Sequence, residues 1–207
     1  MTLNVVIPNQ MALLGQSEFG IYMITFIILK LRQKVGYNRN METIEIIRLP
    51  PEKWPEYKEI RLRSLKEEPQ AFTVSYEEEE NKPDAQWEYR LKHSLFVFAQ
   101  ANDRLVGIMS SYIDRFKKSS HIAHIVNVYV DKDYRGQGVG KRLLSELIYD
   151  IKVNTSIKKI ETTVTVGQDA AIHLYKSLGF KEAGKYHKSL YHNFIYYDEI
   201  LMELLID

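Results

Sequence analysis

The spacing of apolar side chains along residues 41–207 predicts amphipathic helices separated by strands. The clearest helix follows a glycine-rich turn, and its apolar residues recur on one face at helical spacing. Pro69 lies beyond the end of the first predicted helix and Gly179 beyond the end of the last, as is common at helix C-termini. The predicted helices cover residues 52–66, 84–92, 139–151 and 170–177.

Between these helices, the strand pattern consists of β-branched, alternating or continuously apolar runs. The run 122–130 is apolar enough to lie at the centre of a sheet. Residues 101–104 predict a hairpin turn between two of the strands. The pattern as a whole predicts one α/β (α+β) domain with a mixed, mostly antiparallel sheet. The predicted strands cover residues 43–49, 95–100, 105–112, 122–130, 158–166, 181–191 and 194–206.

One acidic run, residues 77–81, carries four glutamates. It could attract a cationic ligand, but such a run is more often a solvated surface. We therefore expect a loop or the end of a helix there, exposed to water.

Residues 1–40 differ from the rest of the chain. Their apolar run, 19–29, is about half the roughly 20 residues that a membrane-spanning helix needs. A signal peptide would carry positive charge before the run and small residues after it, and neither is present. Three interpretations remain: a membrane-touching anchor, a helix packed on the domain, or a non-native extension. We favour a dispensable extension of a cytoplasmic protein over membrane contact through 19–29; Met41 would then be an alternative translation start.

Composition excludes several kinds of site. The 28 Lys and Arg residues nearly balance the 27 Asp and Glu residues, so global charge does not indicate a nucleic acid partner. The absence of cysteine excludes disulfides and thiolate metal sites. The six histidines show no HExxH spacing, and we predict no metal.

The turn from Arg135 to Gly140 lies between a predicted strand and a predicted helix. Its glycines allow the backbone to approach a ligand, and the first N–H groups of the helix would face that ligand with the positive end of the helix dipole behind them. The spacing fits neither a P-loop nor a dinucleotide fingerprint. The turn therefore predicts an anion-binding site, most simply for phosphates, with an ordinary glycine-rich turn as the alternative.

A second informative stretch is 166–180. Ala171, Leu174, Tyr175 and Leu178 lie on one helical face. On the residues alone, Tyr175 is either a core aromatic or a functional phenol.

Taken together, the two stretches resemble motifs of one family. R-x-x-G-x-G, from Arg135 to Gly140, and A-x-x-L-Y-x-x-x-G-F, from Ala171 to Phe180, resemble hallmarks of the GCN5-related N-acetyltransferase (GNAT) family, of the small bacterial type. The resemblance covers nearly all of residues 41–207, the predicted N-acetyltransferase domain. It implies a sheet of six to seven strands flanked by about four helices, two of which form a wall of the acceptor groove. A homodimer through the last strands is common in the family.

The resemblance also implies a co-substrate, acetyl-CoA, and a set of site residues. Tyr175 would be the general acid for the departing thiolate. Thr163 stands where some relatives carry a catalytic Glu, which leaves Glu161 and His124 as candidate bases. Gln168 stands where many relatives carry Asn. The implied cofactor-binding residues are Val128, Tyr129, Val130, Arg135, Gly136, Gln137, Gly138, Val139, Gly140, Lys141 and Gln168.

The expected function is therefore acetyl transfer from acetyl-CoA to a primary amine, either on a small molecule or at a protein N-terminus. Because the chain has no cysteine nucleophile, we expect direct attack within a ternary complex. A non-catalytic acyl-CoA-binding sensor with the same fold is the alternative. A third class, a membrane-anchored interaction protein, rests only on residues 19–29.

Overall fold

The computed structural model describes residues 43–154 and 156–206, which form a seven-stranded sheet flanked by helices. The strands are β1 (Ile44–Ile47), β2 (Leu95–Ala101), β3 (Arg104–Ile113), β4 (Ile122–Val130), β5 (Lys159–Thr165), β6 (Lys181–His192) and β7 (Ile195–Leu205). The helices are α1 (Trp54–Glu67), α2 (Tyr76–Glu80), α3 (Asp84–His93), α4 (Val139–Val153) and α5 (Asp169–Ser177). The extension and its apolar run 19–29 lie outside the described residues, so the division of the chain at residue 40 stays a prediction.

The strand order is β1-β2-β3-β4-β5-β7-β6. Among the described strands, β4 and β5 form the parallel pair, and the other neighbours are antiparallel. This confirms the predicted mixed, mostly antiparallel sheet. The short helix α2 was not predicted as an element of its own.

One face of the sheet is covered by α4 and α5. The apolar side of α4 is the one that the sequence spacing predicts, and the helix packs on β1, β2, β3 and β4. Burial of this face, and not intrinsic helix propensity, supplies most of the stability of such a helix. The buried residues of α4 are Val139, Leu143, Leu144, Leu147, Ile148 and Ile151.

The opposite face is covered by α1 and α3 through an aromatic cluster. Tyr57 of α1 lies 5.2 Å from Trp87 of α3 and 4.7 Å from Phe96 of β2, measured between ring centroids. Such edge and tilted contacts add to the free energy gained by burying the rings. The cluster therefore holds α1 and α3 against β2.

The feature that creates room for a site is the separation of β4 from β5. The two strands pair at three positions only, ending at His124 and Glu161. Farther along β4, Asn127 has a φ of +58° and the register with β3 shifts, as in a β-bulge. Beyond His124 the backbone of β4 is therefore not paired with that of β5, and Ile125 O instead accepts a hydrogen bond from Thr162 Oγ1 at 3.0 Å.

No helix among residues 43–154 and 156–206 is long and apolar enough to cross a membrane.

Candidate active site

The glycine-rich turn forms the anion-binding geometry that the sequence predicts. Gly136 and Gly138 have φ values of +74° and +78°, which residues with a Cβ rarely adopt. Helix α4 has no side-chain N-cap, and its first main-chain bond runs from Arg142 N to Gly138 O. The N–H groups of residues 139–141 therefore point out of the start of the helix, where an anion is stabilised.

A third glycine brings the two helices of this face together. A Cβ added to Gly140 would lie 3.2 Å from Leu174 Cδ2, so the first turn of α4 packs closely on α5. Tyr175, the next residue, therefore lies on a helix that packs against the first turn of α4.

The Tyr175 side chain is 1% exposed and packs edge-on against Phe180, with ring centroids 5.2 Å apart. Burial raises the pKa of Tyr175 to about 12, and a hydrogen bond with Thr162 lowers the pKa only in part. The phenol therefore keeps its proton at any pH well below 12 and can act as a proton donor.

A cavity of about 390 Å³ lies at the gap between β4 and β5. Its wall includes residues 125–128 of β4, residues 162–165 of β5, and Tyr175. Side chains from both faces of the sheet line it: Ala171 from the α5 side, and Tyr57 from the α1 side. An elongated ligand can therefore enter from one face and meet a second ligand from the other.

Several predicted cofactor-binding side chains have structural partners. Arg135 donates from Nε to Val130 O at 2.9 Å and from Nη2 to Glu68 Oε1 at 2.8 Å. Gln137 donates to Asp133 O at 2.9 Å. These side chains hold the turn against β4 and α1, so the turn offers a ligand mainly its backbone.

Of the other predicted cofactor-binding residues, some are buried, one is exposed and some line the cavity. Tyr129 is buried, and its hydroxyl donates to Glu67 at 2.8 Å. Val139 is buried in the core, and Lys141 is exposed. Val128 and Gln168 line the cavity. Gln168 precedes α5 and makes no side-chain cap.

The two candidate bases lie where β4 and β5 are still paired. His124 Nδ1 is 3.8 Å from Glu161 Oε2, and Lys159 Nζ is 2.5 Å from Glu161 Oε1. Neither Glu161 nor His124 is among the residues that line the cavity. Their role as bases stays a prediction.

Sequence reasoning missed a third carboxylate, Glu199 of β7, which does line the cavity. It is 8% exposed and accepts hydrogen bonds from Thr163 Oγ1 at 2.9 Å and from Ser189 Oγ at 2.5 Å. The resemblance to the family implies a Glu at the position of Thr163 in some relatives, and here Glu199 places a carboxylate within hydrogen-bond distance of that residue. The sequence does not single it out, because β7 also carries Asp198 and Glu203.

The expectation of a solvated acidic surface is wrong for Glu79. This residue is 3% exposed, and its carboxylate is 2.7 Å from Arg90 Nη1 and 2.8 Å from Lys82 Nζ. Burial raises its pKa, but these hydrogen bonds outweigh burial and hold the pKa below its usual value. Glu79, Arg90 and the buried Arg61 all line the cavity on the α1 side.

Within residues 43–154 and 156–206 there is no group of three or more His, Asp or Glu side chains arranged to hold a metal ion.

Comparison with known proteins is consistent with this geometry. A family model described as the acetyltransferase (GNAT) family matches residues 55–180. N-alpha-acetyltransferase RimI of Mycobacterium tuberculosis is 32% identical over 93 residues, which are 44% of this chain and 55% of that protein. This chain spans about half the length of the curated relatives it matches, with shares of 58%, 43% and 55% for three of them.

Solved structures share the fold. The acetyltransferase of the GNAT family from Streptococcus pneumoniae has a TM-score of 0.73 at 23% identity, covering 79% of this chain and all of that one (100%). The protein yncA from Salmonella typhimurium, solved with its cofactor acetyl-CoA, has a TM-score of 0.67 at 20% identity, covering 80% and 95%. Because the family model matches more than half of the residues, this chain belongs to the GNAT acetyltransferase family.

Proposed function

We propose that this chain transfers the acetyl group of acetyl-CoA to a primary amine while both substrates are bound. The observation that carries the proposal is the buried phenol of Tyr175, which lines the cavity on a helix packed against the uncapped start of α4. The similarity to an N-alpha-acetyltransferase supports an amine acceptor, on a small molecule or at a protein N-terminus.

The residues present fit acetyl-CoA. The N–H groups at the start of α4 and the left-handed Gly136 and Gly138 suit a pyrophosphate. The unpaired edge of β4 suits the amide groups of the extended arm, because strand backbone can bond to an extended ligand as it would to a strand. When bound, acetyl-CoA supplies a thioester carbonyl and a thiol leaving group.

On the acceptor side, the amine must attack as the neutral form, since an ammonium ion has no lone pair. As the C–N bond forms, the nitrogen becomes acidic and must lose a proton. Glu199 lines the cavity, and its carboxylate is oriented by Thr163 and Ser189, so we assign it the role of accepting that proton.

On the leaving-group side, the C–S bond breaks and the sulfur takes the electron pair. Tyr175 donates a proton to that sulfur, and its raised pKa ensures that the proton is present at neutral pH. Main-chain N–H groups of residues 128–130 are proposed to stabilise the negative charge that develops on the carbonyl oxygen. No step requires a metal or a covalent acetyl-protein.

The direct test is thiol release from acetyl-CoA with a panel of amines that includes free amino acids, polyamines and short peptides. The expected result is turnover with one class of amine. Binding of acetyl-CoA in calorimetry without turnover on any amine would instead support the acyl-CoA sensor. An absence of binding would overturn the role of the turn at residues 135–140.

The phosphate-binding role of the turn predicts that Gly138→Ala weakens acetyl-CoA binding roughly tenfold. A Cβ there meets nothing within 4 Å, so the cost comes from the left-handed φ. The free turn of the variant is expected to relax away from this φ, and binding must restore it at about 1–2 kcal/mol for a non-glycine residue. Calorimetric titration measures the affinity. Gly184→Ala is the matched control, because Gly184 also has open space around it and lies in β6. Unchanged affinity in Gly138→Ala would contradict the assignment.

A further inference from the structure

The cavity contains a buried positive charge that the proposed chemistry does not use. Arg61 of α1 is 5% exposed, and its Nη1 is buried without a hydrogen-bond partner among the described residues. Its guanidinium carbon lies 4.6 Å from the centroid of the Phe72 ring. A buried cation with an unsatisfied donor is costly, because desolvation is not offset by a bonded partner.

The neighbouring carboxylate does not satisfy it. The two oxygens of Glu79 accept from Lys82 and Arg90, and Nη1 of Arg61 donates to neither. Arg61, Lys82 and Arg90 thus share one carboxylate among three cations. The positive charge on Arg61 remains available to an anion that enters the cavity.

Arg61 and Glu199 lie on the same side of the sheet. Glu199 is the β7 partner of Thr165, whose hydroxyl donates to Gln70 O at 3.0 Å, just beyond the end of α1. Both side chains line the one cavity. An acceptor entering from the α1 side would therefore meet, in the same cavity, a proton acceptor and a guanidinium whose Nη1 has no hydrogen-bond partner. Ser111 Oγ, also buried and unpartnered, belongs to the α4 side of the sheet.

We infer that the acceptor is a small amine that also carries a carboxylate, as an amino acid does, with the carboxylate held by Arg61 and the amine directed to Glu199. This inference rests on the proposed acetyl transfer. A guanidinium matches a carboxylate in planar geometry. A phosphate dianion fits less well, because Glu79 and Glu199 line the same cavity and would repel the second charge.

The test compares amino acids with their carboxamides, which keep the amine and remove the anion. The wild-type protein is expected to prefer the amino acid in kcat/KM by roughly 10- to 100-fold, the value of a charge-assisted hydrogen bond. In Arg61→Met this preference is expected to disappear, mainly through KM for the amino acid, while turnover of the carboxamide persists. The matched control is Arg63→Met: Arg63 is also on α1 but does not line the cavity, and the preference should be unchanged.

A second measurement does not depend on turnover. In the presence of CoA, the amino acid should raise the Tm of the wild-type protein and leave that of Arg61→Met unchanged. The Tm of Arg61→Met without ligand should not fall, because the substitution removes a buried guanidinium whose Nη1 has no hydrogen-bond partner.

Equal kcat/KM for amino acids and carboxamides in the wild type would overturn the inference, as would a preference that survives in Arg61→Met. Acetylation confined to peptides would also overturn it. These results would leave acetyl transfer itself intact, since turnover of any amine supports the proposed function. If no amine turns over, and amino acids do not raise the wild-type Tm in the presence of CoA, both proposals fail.

Discussion

Replacing Tyr175 by Phe is expected to lower kcat by about 100-fold, the usual contribution of a positioned general acid. The change removes one hydroxyl from a buried ring whose contact with Phe180 remains, so the fold should be kept. Affinity for acetyl-CoA should stay near the wild-type value, because the proposed phosphate contacts come from the backbone at the start of α4. Steady-state thiol release measures kcat, and calorimetry measures the affinity.

The pH dependence of the wild-type protein gives an independent check on the same residue. Because burial raises the pKa of Tyr175 to about 12, the phenol should not ionise over the range in which the protein is assayed. Ionisation of Tyr175 is therefore not expected to lower the activity as the pH rises from 7 to 9.

The control for Tyr175→Phe is Tyr149→Phe, at an exposed position on α4, which should leave kcat unchanged. If Tyr175→Phe keeps the wild-type kcat, Tyr175 is not the general acid.

The second large effect is expected at Glu199. Glu199→Gln keeps the size of the side chain and removes the negative charge, so kcat should fall by about 100-fold if this carboxylate accepts the amine proton. Glu203→Gln is the matched control: Glu203 lies on the same strand, and it pairs with Lys159 at 2.9 Å instead of lining the cavity. Its effect should be small.

The same assay distinguishes the competing bases. Glu161→Gln and His124→Ala should change kcat little, since neither side chain lines the cavity. A large loss of kcat in either variant, together with near wild-type kcat in Glu199→Gln, would show that the general base lies in the paired region of β4 and β5.

Features set by local sequence were predictable. The buried face of α4 follows from apolar residues at helical spacing, and its start follows from the glycines of the turn. Tyr175 could be singled out because motif and helix face agree on it. Each of these depends on residues close together in the chain.

Features set by tertiary contacts were not predictable from the sequence. Glu199 reaches Thr163 only because β7 lies beside β5 in one particular register, and a shift by one residue would turn its side chain to the other face. Glu79 is buried because α2 turns it toward Arg90, which no charge pattern indicates. The gap between β4 and β5 depends on a bulge at Asn127, where the sequence gives no glycine or proline signal.

Direct transfer can be tested by initial-rate kinetics in which the concentrations of acetyl-CoA and of the accepted amine are varied together, with the N-acetylated amine and free CoA both quantified. Direct transfer in a ternary complex predicts intersecting initial-rate lines and equal amounts of the two products. CoA released without N-acetylated amine would contradict the account, and parallel lines would indicate an acetylated protein that this cysteine-free chain is not expected to form.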